Sequence, residues 1–142
     1  MSTHACIAVL RPDTSIHSVY VHSDGYWSWT GTRLQRSFNT YKKAAELIAH
    51  GGISILGDEI GMKHNMNTFR SPGDRIVTTF YARDGGKELD IEHHANFAIF
   101  NAYSTQWEYV YFFNGERWLG WSKEQTVAKP LAHILVKERL TS

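Results

Sequence analysis

The pattern of apolar and polar positions divides the chain into short blocks. Ala5-Cys6-Ile7-Ala8-Val9-Leu10 is an unbroken apolar run of strand length. Pro12-Asp13-Thr14-Ser15 follows as a turn, and residues 16–22 form a second strand. In it, His17, Val19 and Val21 share one face and Ile16, Ser18, Tyr20 and His22 the other. The two strands predict an N-terminal hairpin. Thr32 to Phe38 predicts a short helix. Thr40 then reads as the N-cap of a helix over 41–50, because Tyr41, Ala44, Ala45 and Ile48 recur at helical spacing and Leu47 widens the stripe. Gly51-Gly52 supplies its stop, and Ile53 to Gly57 is a compact apolar connector.

Residues 58–75 show little periodicity and read as a long loop. Arg75 to Arg83 predicts a strand, Asp84-Gly85-Gly86-Lys87 a turn, and Glu88 to Glu92 a short return strand. Ala95 to Tyr103 reads as helix or strand, and helix is favoured because a crossover is needed before the aromatic hairpin that follows. Pro130 to Leu140 predicts a final helix with Leu131, Ile134 and Leu135 on its apolar side.

The densest apolar block is Trp107 to Trp121, interrupted by Asn114-Gly115. Asn-Gly between two β-prone runs is a strong hairpin signal. A two-residue turn sets Phe113 against Glu116, Phe112 against Arg117, Tyr111 against Trp118 and Val110 against Leu119. Trp107, Tyr109, Tyr111, Phe113 and Trp118 then share one face, and Val110, Phe112, Leu119 and Trp121 the other. A ribbon apolar on both faces is either central in a sheet or offers one face to another molecule. Taken together, the elements predict a single α+β domain over 1–142: an antiparallel sheet of about five strands with helices packed on one face.

Composition sharpens this picture. Aromatic residues make up 13% of the 142, so large rings must do much of the packing. Fifteen basic against fourteen acidic side chains argue against a dedicated duplex-DNA binder. Cys6 alone cannot form an intrachain disulfide, which fits a cytosolic setting, and its apolar neighbours mark it as a buried small side chain. No signal-peptide pattern and no membrane-length apolar run occur. The eight histidines show no zinc-ligand spacing. Nor is there a phosphate loop, a nucleophile elbow or a paired-carboxylate pattern. No metal, cofactor or catalytic residue is therefore assigned.

What stands out is rings beside guanidinium groups. Tyr26, Trp27 and Trp29 lie in a Gly- and Ser-rich loop, with Arg33 and Arg36 just beyond. Tyr109, Tyr111 and Trp118 belong to the hairpin, with Arg117 in it and Arg83 on the preceding strand. Rings stack on bases and Arg clamps phosphate. The same residue types dominate protein-interface hot spots. As a third reading, the rings are core and the arginines solvated.

His22-Ser23-Asp24-Gly25-Tyr26, Gly31, Phe38-Asn39, Lys42-Lys43, the 51–57 connector, Thr78 to Asp84 and Glu108-Tyr109 through Trp118 together resemble a family of small bacteriophage and prophage proteins. That family carries an Asp-Gly-Tyr-Pro loop, a Lys-rich helix and a Gly-Asp-Ile-Ser-Ser-Leu-Gly connector. Here Trp27 replaces the loop proline and Gly52 the connector's acidic residue. The resemblance implies a phage-type accessory protein and brings no catalytic roles. Proteins of that class act stoichiometrically in the host cytoplasm, binding a host defence protein or a nucleotide second messenger. The expected chain is thus a non-enzymatic inhibitor or sponge, and the ribbon apolar on both faces adds the expectation of a homo-oligomer, because a second copy can cover it. The competing reading is a small enzyme acting on nucleotides or nucleic acid through His22, Asp24 and the His93-His94 pair.

Overall fold

The computed structural model describes residues 3–66 and 76–141. The chain is α+β. Among the described residues, eight strands make one mixed sheet in the order β4-β3-β2-β1-β6-β7-β8, with β5 pairing β2. The strands are β1 (Ala5–Leu10), β2 (Ile16–Ser23), β3 (Ile53–Ile55), β4 (Thr79–Phe80), β5 (Glu92–His94), β6 (Tyr109–Phe113), β7 (Trp118–Ser122) and β8 (Lys129–Pro130). The helices are α1 (Thr32–Ser37), α2 (Tyr41–Ile48), α3 (Tyr81–Gly85), α4 (Phe97–Ser104) and α5 (Leu131–Thr141), and a single π-helical turn, Trp27–Gly31, leads into α1.

The N-terminal hairpin forms as expected, with Ala5 opposite Val21 and Leu10 opposite Ile16. The sheet departs from expectation in being mixed and larger than five strands. β1 runs parallel to β6, and β2 parallel to β3. Parallel neighbours need a long crossover, and α1 with α2 provides the one between β2 and β3. Helices also cover both faces rather than one. On the first face, Ala5, Ile7, Val9, Val19, Val21, Tyr111, Phe113 and Trp118 cluster with Leu34 of α1, Leu47 of α2 and Leu131 of α5. On the second, Cys6, Ala8, Ile16, Val110, Phe112 and Trp121 meet Phe100 of α4. β1 lacks polar alternation because neither of its faces meets water.

The caps follow local chemistry. The Thr40 hydroxyl accepts from the Lys43 amide at 3.2 Å, and Asn96 caps α4 through the Ile99 amide at 3.0 Å. The aromatic hairpin needs a correction in register. Phe113 pairs with Trp118, Phe112 with Leu119 and Val110 with Trp121, so residues 114–117 form a four-residue loop, not a two-residue turn. Asn114 Oδ1 accepts from the amides of both Glu116 and Arg117 at 2.9 Å, which favours the longer loop. A shift of two keeps every side chain on its expected face. Trp107 is the exception: it precedes β6 and packs with the second cluster.

The strand expected over 75–83 is also shorter. Arg75 lies outside the described residues, as do residues 67–74 of the expected long loop. β4 is only Thr79–Phe80, and Tyr81 opens α3. Asp84 Oδ2 accepts from the Phe80 amide at 2.8 Å, satisfying a backbone donor at the helix start, and so turns the chain into a helix. Asp84 and Gly85 therefore close α3 instead of forming a hairpin turn. The expected return strand over 88–92 is displaced to Glu92–His94.

Two consequences are measurable. Burial, with a smaller push from Glu92, raises the Cys6 thiol to about 12 although Ser18 hydrogen-bonds it. Native protein will therefore resist a thiol-specific reagent that labels Cys6 rapidly in denaturant. The buried Tyr111 hydroxyl donates to the Gly25 carbonyl at 2.7 Å. Tyr111→Phe leaves that carbonyl without its partner and should cost about 1–3 kcal/mol in a urea titration.

Candidate functional site

Nine of the ten ring and arginine positions separate into three groups, and Arg117 stands apart from them. The first is core. Tyr111 and Trp118 are fully buried, and the Trp118 Nε1 donates to the Phe38 carbonyl at 3.0 Å. Trp27 is buried edge-on to Tyr109, 4.9 Å between centroids, and to Tyr111 at 5.4 Å. It lies on β7 at Gly120, where a Cβ would come within 2.8 Å of the indole. Tyr109 is half-buried against it, and Tyr26 is the half-buried residue before the π turn. Trp27, Tyr109, Tyr111 and Trp118 pack the chain's own interior, and Tyr111, Trp118 and Trp27 have no open face for a ligand.

The second group is a knot around Asp84, whose side chain is fully buried. Arg83 gives Nε to Oδ1 at 2.9 Å and Nη2 to Oδ2 at 3.1 Å. It also donates to the carbonyls of Gly61, Ile60 and Thr78 at 2.8–3.1 Å. Its guanidinium is thus spent on holding residues 60–61 against β4 and cannot clamp an external phosphate. The His64 amide donates to Asp84 Oδ1 at 3.0 Å, its Nδ1 faces the Met62 carbonyl at 3.1 Å, and its Nε2 lies 3.0 Å from Thr79 Oγ1. Asp84, His64 and Thr79 are ordered like an acyl-transfer relay. The geometry denies that use. Asp84 Oδ1 is 3.6 Å from His64 Nδ1, and Thr79 is only 1% exposed. The arrangement is a loop pin.

The third group is assembled, and Arg36 is its exposed member. Trp29, Arg33 and Arg36 lie one helical turn apart across the π turn and α1. The Arg33 guanidinium sits 3.6 Å from the Trp29 ring centre, a cation–π contact, and its Nη1 donates to the Trp29 carbonyl at 3.3 Å. Trp29 Nε1 is tied to the Leu56 carbonyl at 2.8 Å. Asp58 joins the two arginines: Oδ1 is 2.6 Å from Arg36 Nη2 and 3.4 Å from Arg33 Nε, while Oδ2 accepts from the Ile76 amide at 3.3 Å. Sequence reasoning missed Asp58 because it lies 22 residues beyond Arg36 in a stretch without periodicity.

Arg36 is the ridge between two open grooves. One, of about 450 Å³, runs past Phe38, Lys43, Glu46 and Glu59. The other, of about 560 Å³, lies between α1 and α5 over Thr32, Gln35, Leu135 and Val136. The Arg36 side chain is 60% exposed. Arg117 is exposed in the hairpin loop.

The enzyme constellation does not assemble. His93 and His94 pair with His17 and Ile16 at the start of β2. His22 is five residues further along that strand from His17, roughly 16 Å at strand rise. His94 is buried, bonded to Ser18 Oγ at 2.9 Å and packed against Phe100 and Tyr103. Among the described residues, no three His, Cys, Asp or Glu side chains converge as metal ligands. No described helix is long and apolar enough to cross a membrane.

The Asp84 knot makes a pH prediction. Burial by itself would raise this carboxyl, but Arg83 and the amides of Phe80 and His64 outweigh it and hold it below the ordinary aspartate value. A lowered folded-state value stabilises fully above the unfolded value of about 3.9 and is lost as pH falls through the lowered one. Asp84→Asn should therefore destabilise by about 3–5 kcal/mol at pH 7. The difference from the parent should shrink in urea titrations carried below pH 3.9. No protein-family model, curated protein or solved structure matches the chain.

Proposed function

We propose that this chain is a phage-type accessory protein that acts stoichiometrically in the host cytoplasm, binding a host protein and inhibiting or sequestering it. The observation that carries the reading is Arg36, exposed yet fixed by Asp58, standing between two grooves. Arg at the centre of a rigid, concave surface is a common interface anchor. The groove toward α5 is floored by Leu135 and Val136, and the other carries both signs of charge. That mixture suits a protein segment with an apolar side chain and a carboxylate better than it suits a lone phosphate ligand. The resemblance to small phage proteins supports the same class, and the polar cluster most like a catalytic relay is committed to holding a loop.

The test is affinity capture from a bacterial host lysate followed by native mass spectrometry. The parent chain should retain one host protein at fixed stoichiometry. Arg36→Glu and Val136→Asp should each lower the captured fraction at least about tenfold, the loss of one interface anchor. Lys123→Ala, away from the ridge, should leave it unchanged. Turnover of a nucleotide or RNA panel, or capture indifferent to both ridge variants, would overturn the reading.

A further inference from the structure

The sheet's second face carries a separate feature, away from the α1 ridge. Tyr81, Tyr20 and Trp107 form a row of half-buried rings, 5.7 and 6.2 Å between successive centroids, with planes 18° and 14° apart. His22 meets Tyr81 edge-on at 6.4 Å, and His4 lies 4.9 Å from His22. α4 covers the neighbouring cluster around Phe100, but the Tyr20–Tyr81 end of the row opens onto a cleft of about 570 Å³. Gly52 forms part of its wall, where a Cβ would come within 2.8 Å of the Tyr20 ring. The exposed segment from Lys87 to Asp90 also lines it.

The chemistry of that cleft is threefold. Tyrosine faces accept a flat heterocycle by stacking. The carboxylates of Glu88 and Asp90 are acceptors of the kind that take the hydroxyls of a ribose. Lys87 supplies an ammonium for a phosphate. None of the three charged side chains forms a salt bridge among the described residues. The volume lies in the range of small-ligand pockets. We propose that the Tyr20–Tyr81 cleft is a binding site for a ribonucleoside phosphate. The base stacks on Tyr81, the ribose lies toward Asp90 and Glu88, and the phosphate lies toward Lys87.

The experiment is isothermal titration of the full chain with the four ribonucleoside 5′-monophosphates, their 2′-deoxy counterparts, the free nucleosides and inorganic phosphate. At least one ribonucleotide should bind, more tightly than its 2′-deoxy form and its free nucleoside. Tyr81→Ala should weaken it by about tenfold or more, the loss of one stacking ring. Tyr81 opens α3, so its replacement also carries a folding risk. Lys87→Glu and Asp90→Asn are exposed changes that keep the test intact. The first should reduce affinity for the nucleotide but not for the nucleoside. The second should erase the preference for ribose over deoxyribose. Absence of binding across the panel at millimolar ligand, inorganic phosphate binding as well as the nucleotides, or affinity unmoved by the Lys87 and Asp90 variants would overturn the assignment. These outcomes are independent of protein capture at Arg36.

Discussion

The constraint on which the fold depends is that its central strands have no polar face. Residues 5–9 of β1 are all buried, and β6 beside it brings Tyr111 and Phe113 to one side and Val110 and Phe112 to the other. A sheet centre of this kind is stable only if apolar cover is placed on both sides. α1, α2 and α5 cover one side and α4 the other. The π turn exists within that demand. It carries Trp27 down onto Gly120 of β7 and still delivers the chain into α1.

The aromatic surplus is resolved the same way. Most rings are cover, and several use a polar atom to fasten a loop. Tyr111 reaches Gly25, Trp118 reaches Phe38 and Trp29 reaches Leu56. A buried ring with one satisfied polar tip contributes area and direction together. The loop after β3 is held by the complementary device, a buried carboxylate shared by one guanidinium and two amides.

Much of this was legible in the residues. The β1–β2 hairpin, α2 with its Thr40 cap and α5 follow from spacing and cap chemistry, which are local, whereas α4 followed only from the need for a crossover before the aromatic hairpin. The ribbon apolar on both faces pointed to a central place in the sheet, although element order pointed to helices on one face only. The parallel β1–β6 and β2–β3 pairings were not legible, because strand direction depends on partners 104 or 32 residues away. The strand expected through Arg83 failed because a single carboxylate three residues on, bonded to the Phe80 amide, outweighed β propensity at Tyr81. Of the ridge, Trp29, Arg33 and Arg36 were readable as a ring followed closely in sequence by two arginines, whereas Asp58 was not. Tyr20 passed as an ordinary strand residue and Tyr81 as another, since nothing local marks two rings 61 positions apart as neighbours.

Trp27 and Trp29 belong to one π turn, and each is fastened to a different part of the chain, β7 and the end of β3. Arg33 stacks on the second of them, and Arg36 is braced by a carboxylate rooted in the following loop. The exposed guanidinium therefore starts from a narrow set of conformations before anything touches it. A partner meeting that ridge has little rotamer freedom left to freeze on this side of the contact, so the entropic cost of the encounter falls mainly on the incoming segment.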